Sequence, residues 1–288
     1  MPTITQLLRD VARSQRAVPF WAWEKDYALS YLLAGIAQSE KLCRGLVLKG
    51  GTALRKYYFA DYRFSEDLDF SAYPATRSAD VEPALQTAVR TMNELLQERG
   101  AFRVELERLV LREPHPGGQD AFTVRVQFPA HREPMCRLKV EITYDELLLW
   151  RPQLRTLLHG FPEPMPEATF NCYSLEEIVA EKLRALLQSR ARLRARGWGA
   201  SRVCRDYYDL WCILRHAGLD KIRLPALVRQ KCTHRGIAVE SPQTFFSEDL
   251  LQVARREWKQ QLCPFVTNCP AVDKILAEVQ ATVEKLAW

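Results

Sequence analysis

Apolar residues recur at helical spacing at the start of the chain. Ile4, Leu7, Leu8 and Val11 predict a short amphipathic helix over 3–13. Tyr27, Tyr31, Ile36 and their neighbours predict a broader-faced helix from about Trp23 to Ser39. The pattern then changes. Leu46 to Lys49 reads as an apolar strand, Gly50-Gly51 as a turn, and Thr52 as the N-cap of a helix. Residues 67–71 form the next predicted strand, and 78–99 a long helix closed by Gly100. Three alternating segments follow: "FRVELERLVLR", "AFTVRVQF" and "CRLKVEITYDE". The insert "EPHPGGQD" between the first two is typical of a hairpin loop. "RPQLRTLLHGFPEPMPEATFNC", with four prolines, reads as a connector. Beyond it the spacing is helical over 174–189, 203–216, 221–232, 247–262 and 271–286. The expected class is α+β: a mixed sheet flanked by helices over 1–165, then a helical half over 166–288.

Composition narrows the picture without changing it. At 288 residues, 47% hydrophobic and 26% charged, the chain can bury a substantial core. No apolar run approaches the roughly 18 residues that span a bilayer, so no membrane partner is expected. Arg9 and Asp10 stand where a signal peptide needs an apolar stretch, which predicts a cytoplasmic location. The eight cysteines include no CxxC pair and are expected to be mostly buried thiols. Cys232, His234, Cys263 and Cys269 fit no common zinc framework. The net charge of +6 is unevenly spread: "SRARLRARGWGASRVCR" (189–205) carries six arginines and no acid. Such a run is either a solvated segment or a surface for a polyanion.

The chemistry gathers around "LVLKGGTALRKYYFADYRFSEDLDFSA" (46–72). Gly50 and Gly51 let the backbone turn tightly and approach a ligand. Asp67 and Asp69, two apart on a strand, point to the same side. Either nearby cations such as Arg55 or Arg63 neutralise them, or they hold a hard divalent cation such as Mg²⁺. In "RLKVEIT" the positions 139, 141 and 143 are polar and 138, 140 and 142 apolar, so Glu141 supplies a third carboxylate on a matching strand. Three acids over two strands beside a glycine turn suit two-metal phosphoryl or nucleotidyl transfer. Ser65 precedes the acidic strand, either as a phosphate donor or as a turn-stabilising residue.

"KGGTALRKYY…YRFSEDLDFS" resembles the first motif of the AbiEii/MenT-type nucleotidyltransferase toxins, members of the DNA polymerase β-like nucleotidyltransferase superfamily. The resemblance continues in order through "LKVEIT" (138–143), "SLEEIVAEKLRALL" (174–187) and "RDYYDLW" (205–211), and "WEKDYALSYLL" (23–33) resembles the family's leading helix. It spans about residues 23–215 and says little of the helices after 220. Relatives often have Asp where Glu141 stands, and the arginine-rich insert is family-variable. The resemblance implies a nucleotidyltransferase fold whose helical part completes the active site. It also implies transfer of NMP from an NTP to an acceptor hydroxyl, with the 3′ end of tRNA as acceptor. The setting it implies is a toxin–antitoxin or phage-defence pair with a cognate antitoxin.

By the same resemblance, Gly50, Gly51, Thr52, Ser65 and Lys182 hold the triphosphate. Asp67, Asp69 and Glu141 bind Mg²⁺ or Mn²⁺, Glu141 being also a candidate general base. Lys182 faces the leaving pyrophosphate, and Asp206 or Asp209 orients the lysine or the nucleotide. Read from spacing alone, Arg205 and Asp209 form an i,i+4 surface pair. The Arg190–Arg205 stretch would track tRNA phosphates. The alternatives are a protein or small-molecule acceptor, such as an antibiotic, and a degenerate, non-catalytic binding module.

Overall fold

The computed structural model describes residues 3–13, 17–110 and 118–288. It divides into two compact units, one of residues 1–146 and 152–172, the other of 147–151 and 173–288.

The first unit opens with helix α1 (Ile4–Ala12), started by a capping box between Thr3 and Gln6. Helix α2 (Phe20–Ala37) is buried on nearly every side. Its Gly35 allows close backbone approach to helix α5 (Ser78–Gln97): a Cβ there would stand 2.3 Å from the Ala88 carbonyl oxygen. A short helix α3 (Glu40–Gly45), capped by the Ser39 hydroxyl, leads into the sheet.

Seven strands form that sheet: β1 (Leu46–Lys49), β2 (Asp67–Ala72), β3 (Arg103–Leu109), β4 (Gln119–Gln127), β5 (Cys136–Thr143), β6 (Gln153–Thr156) and β7 (Thr169–Cys172). Their spatial order is β3-β4-β5-β2-β1-β7-β6. The central β2 runs antiparallel to β1 and parallel to β5, which makes the sheet mixed. Leu68, Phe70, Val140 and Ile142 are fully buried on one face, so the residues alternating with them stand on the other. The proline-rich stretch predicted as a connector contains β6 and β7, which pair antiparallel, and β7 lies parallel to β1. At four residues each, they are too short for alternation to declare them. The predicted hairpin loop between β3 and β4 falls largely on residues 111–117, outside the described residues.

The second unit is helical: α6 (Leu175–Arg196), α7 (Val203–Leu214), α8 (Leu224–His234), α9 (Glu248–Glu257) and α10 (Val272–Glu284). Helix α6 is capped by Ser174 and ends at Gly197 in the left-handed region, about two turns beyond the expected end. Cys263 and Cys269 form a disulfide across a six-residue separation, which the sequence reading did not anticipate. With those sulfurs joined, the imagined zinc set does not form. Cys136, Cys172, Cys204 and Cys232 are buried thiols, as expected. Among the described residues no helix is long and apolar enough to cross a membrane.

Candidate functional site

Candidate site residues collect in two groups, one in each unit. In the first, strand β1 delivers the chain to Gly50, whose φ of +76° is a conformation L side chains rarely adopt. Any Cβ at Gly50 would lie 2.6 Å from an Asp69 carboxylate oxygen. One at Gly51 would lie 2.5 Å from Arg63 Nη2 and 3.0 Å from Ser65 Oγ. The two glycines therefore open a cradle whose walls are a carboxylate, a guanidinium and a hydroxyl. The helix after it (α4, Gly50–Ala53) passes into a π-helical turn over Leu54–Tyr58.

Thr52 is not the N-cap. Lys49 occupies that position without a side-chain cap bond, and the buried Thr52 hydroxyl donates to the Asp67 carbonyl oxygen. Thr52 thus ties the glycine turn to the start of β2.

Asp67 and Asp69 stand across from Lys139 and Glu141 in the parallel β2–β5 register. Like pairs in parallel register share a face, so the three acids lie on one side of two neighbouring strands. Glu141 is held by Lys139 Nζ at 2.9 Å and accepts from Gln119 Nε2 at 2.7 Å. Across β1, Lys49 is in register with Asp69 and lies 3.6 Å from Glu146.

Of the two arginines considered as partners for the aspartates, Arg55 is engaged elsewhere. It binds Asp26 at 2.5 Å and the Tyr62 carbonyl, and sits over the Phe64 ring at 3.6 Å. Asp26 also binds Lys56 at 2.8 Å. Burial would raise the Asp26 carboxyl, but Lys56 and Arg55 overcome that and bring it down to about 2. Burial likewise lowers the Lys56 ammonium to about 8, with Asp26 offsetting part of the effect. Arg63, read from sequence as a possible counter-charge, also forms a wall of the cradle. Its signal was available two residues before Ser65, but spacing alone does not say which way a guanidinium turns.

Among the described residues no three His, Cys, Asp or Glu side chains converge as a preformed metal site. The donor set nevertheless suits a small hard cation. Mg²⁺ is usually held by one or two carboxylates with substrate phosphates supplying further oxygens. An aspartate pair beside a cradle open enough for those oxygens meets that requirement. Asp67 and Asp69, with Glu141 alongside, are the residues that could hold it.

In the second unit, Lys182 of α6 reaches Asp206 at 2.7 Å and Asp209 at 2.8 Å, both on α7. Asp209 is fully buried, so it does not belong to a surface pair, and its carboxylate contacts Lys182. Both candidate aspartates orient the lysine. Arg205 donates to the Gln261 carbonyl at 2.9 Å and lies 4.7 Å from the Phe265 ring centroid, beside the disulfide loop. Glu181, the neighbour of Lys182, turns to a different cluster, where Lys231 binds Glu181 at 2.8 Å and Glu177 at 2.6 Å. Glu177 also accepts from the amides of Leu149 and Trp150. No spacing rule links Glu177 to a lysine 54 residues away, and that cluster was not foreseen.

The family profile described as "Nucleotidyl transferase AbiEii toxin, Type IV TA system" matches residues 31–278. The chain belongs to the AbiEii family. It is therefore a nucleotidyltransferase toxin of a type IV toxin–antitoxin system, and membership brings an NTP substrate, a divalent metal in general and an antitoxin partner. The fold is similar to that of MenT4, the nucleotidyltransferase toxin Rv2826c from Mycobacterium tuberculosis H37Rv, with a TM-score of 0.65 at 23% identity over 98% of this chain and 89% of that one. No curated protein sequence matches. The AbiEii profile contains both clusters, from Gly50 to Asp209, and also the helices through α9 on which the four motifs were silent.

Proposed function

We propose that the chain moves a nucleoside monophosphate from an NTP to a hydroxyl at the 3′ end of tRNA, with Mg²⁺ as the metal. The acceptor oxygen forms a bond to the α-phosphorus, the bond to the pyrophosphate oxygen breaks, and the acceptor proton passes to a base. The single observation that supports this most is the register of Asp69 beside Glu141 on parallel strands, next to the Gly50 turn. Asp67 and Asp69 would hold the Mg²⁺, which when bound would neutralise phosphate charge and activate the α-phosphorus. Gly50 and Gly51 clear the space for phosphate oxygens, to which Arg63 and the Ser65 hydroxyl donate. Glu141, exchanging its contact with Lys139, takes the acceptor proton or joins the metal set. Lys182, aimed by Asp206 and Asp209, serves the same reaction by stabilising charge on the departing pyrophosphate.

A tRNA that carries an added nucleotide at its 3′ end cannot be charged, and translation stops; this is the toxic outcome the reading implies. A polyanionic acceptor also accounts for an arginine run that contains no acid.

Incubating the full chain with Mg²⁺, each labelled NTP in turn and total tRNA tests the proposal. Label is expected in RNA with the native chain and not with Asp69→Ala. No label under any NTP, or equal label from both chains, overturns the proposal. Label in protein or in a small-molecule acceptor overturns the tRNA assignment and keeps the transfer chemistry.

A further inference from the structure

The arginines of 190–205 do not form one surface. Helix α6 runs to Arg196, so Arg190 and Arg194 share one face at i,i+4 spacing, while Arg192 and Arg196 share another about 200° round the axis. The first pair is answered by acids from later in the chain: Arg190 lies 3.9 Å from Glu240 and Arg194 3.2 Å from Asp249. Arg205 is occupied with the Gln261 carbonyl and the Phe265 ring. Arg192 and Arg196 are exposed and, among the described residues, pair with no acid.

Trp198 follows, between Gly197 with φ +75° and Gly199 with φ +102°. Left-handed glycines on both sides turn the backbone so that the indole stands outward, 66% exposed. The Arg196 guanidinium lies 5.7 Å from its ring centroid. A Cβ at Gly199 would touch the Arg192 side chain at 3.3 Å, which places the Arg192 stem against this loop. One large aromatic face and two unanswered guanidinium groups therefore meet at the end of α6. Their neighbours Ala191, Ala195 and Ser201 are small. An apolar partner surface or a lipid needs a contiguous apolar patch, and among the described residues from 190 to 205 Trp198 is the single exposed large hydrophobic.

We propose that Trp198, with Arg192 and Arg196, is a stacking platform for an unpaired base of an RNA. The proposal deepens the RNA-acceptor reading and rests on it. Every base offers a π-face to an indole, and Arg adds cation–π attraction and phosphate neutralisation, so the platform favours single strands without reading sequence.

The test is fluorescence anisotropy of the full chain with a 5′-labelled single-stranded RNA of mixed sequence and with a blunt duplex of the same length. Trp198→Ala is expected to weaken single-strand binding about tenfold or more, with the salt slope unchanged. Trp198→Phe should restore most of that loss, because the ring face is kept. Arg192→Gln with Arg196→Gln should reduce the salt slope by about 1.4, two single-strand phosphates' worth. Arg190→Gln with Arg194→Gln should bind like the native chain.

Native-strength RNA binding by Trp198→Ala, or an equal loss on blunt duplex, overturns the platform. A polyglutamate peptide that displaces RNA from the native chain as well as unlabelled RNA does also overturns it, assigning the surface to an acidic protein. The two readings fail separately. If no RNA is labelled from NTP but Trp198→Ala still loses RNA binding, the transfer reading falls and the platform stands. If Trp198→Ala labels RNA with the native KM for RNA, the platform falls and the transfer reading stands.

Discussion

Lys182 and Lys231 each hold two carboxylates across a pair of helices in the second unit, and the resemblance ends there. The Lys231 side chain is 1% exposed, and its three donors are spent on Glu177, Glu181 and the Leu147 carbonyl. Burial would lower the Lys231 ammonium, but Glu181 and Glu177 outweigh it and raise its pKa. That is a closed knot whose duty is to pin residues 147–151 to α6 and α8. The Lys182 side chain remains 15% exposed. Two aspartates fix its direction, and on the role proposed above it faces a phosphate. Neighbouring positions on one helix thus feed a structural cluster through Glu181 and, on the role proposed above, a chemical one through Lys182.

The sharpest way to break this comparison is to replace each ammonium by the same neutral group. Lys231→Gln leaves the buried Glu177 carboxylate without its cation, while Glu181 keeps Arg184, and is expected to cost about 3–5 kcal/mol of stability, read from the urea midpoint. An unchanged midpoint would erase the distinction. Lys182→Gln is expected to lower kcat by about 10²–10³-fold under conditions where the chain remains folded. A native kcat for that variant would remove Lys182 from the chemistry.

The buried Asp26–Arg55–Lys56 cluster of the first unit extends the comparison and carries the smallest effect. With its pKa lowered from 3.8 to about 2, Asp26 contributes stability that is present above pH 3.8 and lost as pH falls toward 2. The contribution is about 2 kcal/mol. Asp26→Asn should be less stable at neutral pH and should flatten the acid limb of a stability–pH curve between those values. If that limb keeps its slope, the acid sensitivity lies in other carboxylates.

The first-unit group was legible because its signals are local. Alternation put Asp67 and Asp69 on one side, and the same alternation in "RLKVEIT" put Glu141 on the matching side. Register does the rest, with Asp69 falling directly opposite Glu141. The helices of the second unit were legible from their period, though not the length of α6, since arginines tolerate helix and loop equally on an exposed face.

What escaped depends on partners distant in sequence. Thr52 looked like a cap because its type and position suit one, and only the proximity of β2 redirects its hydroxyl to the Asp67 carbonyl. β7 is a strand because β1 and β6 flank it, not because "TFNC" favours one. The Cys263–Cys269 bridge left no mark in a cysteine count that looked like scattered thiols. The division of the arginines into an answered and an unanswered face needed Glu240 and Asp249, some fifty residues further on.

The capture of residues 147–151 by the second unit has a consequence for the order of synthesis. The chain leaves the first unit after Glu146, gives five residues to the second, returns for β6 and β7, and departs again at Tyr173. A nascent chain can complete its seven-stranded sheet, with all three acids in place, once Cys172 has emerged. Residues 147–151 must then wait for Glu177 and, later still, Lys231 before they are fixed. Lys182, the lysine proposed to serve the acids, follows Cys172 by only ten residues, whereas the structural Lys231 follows it by fifty-nine.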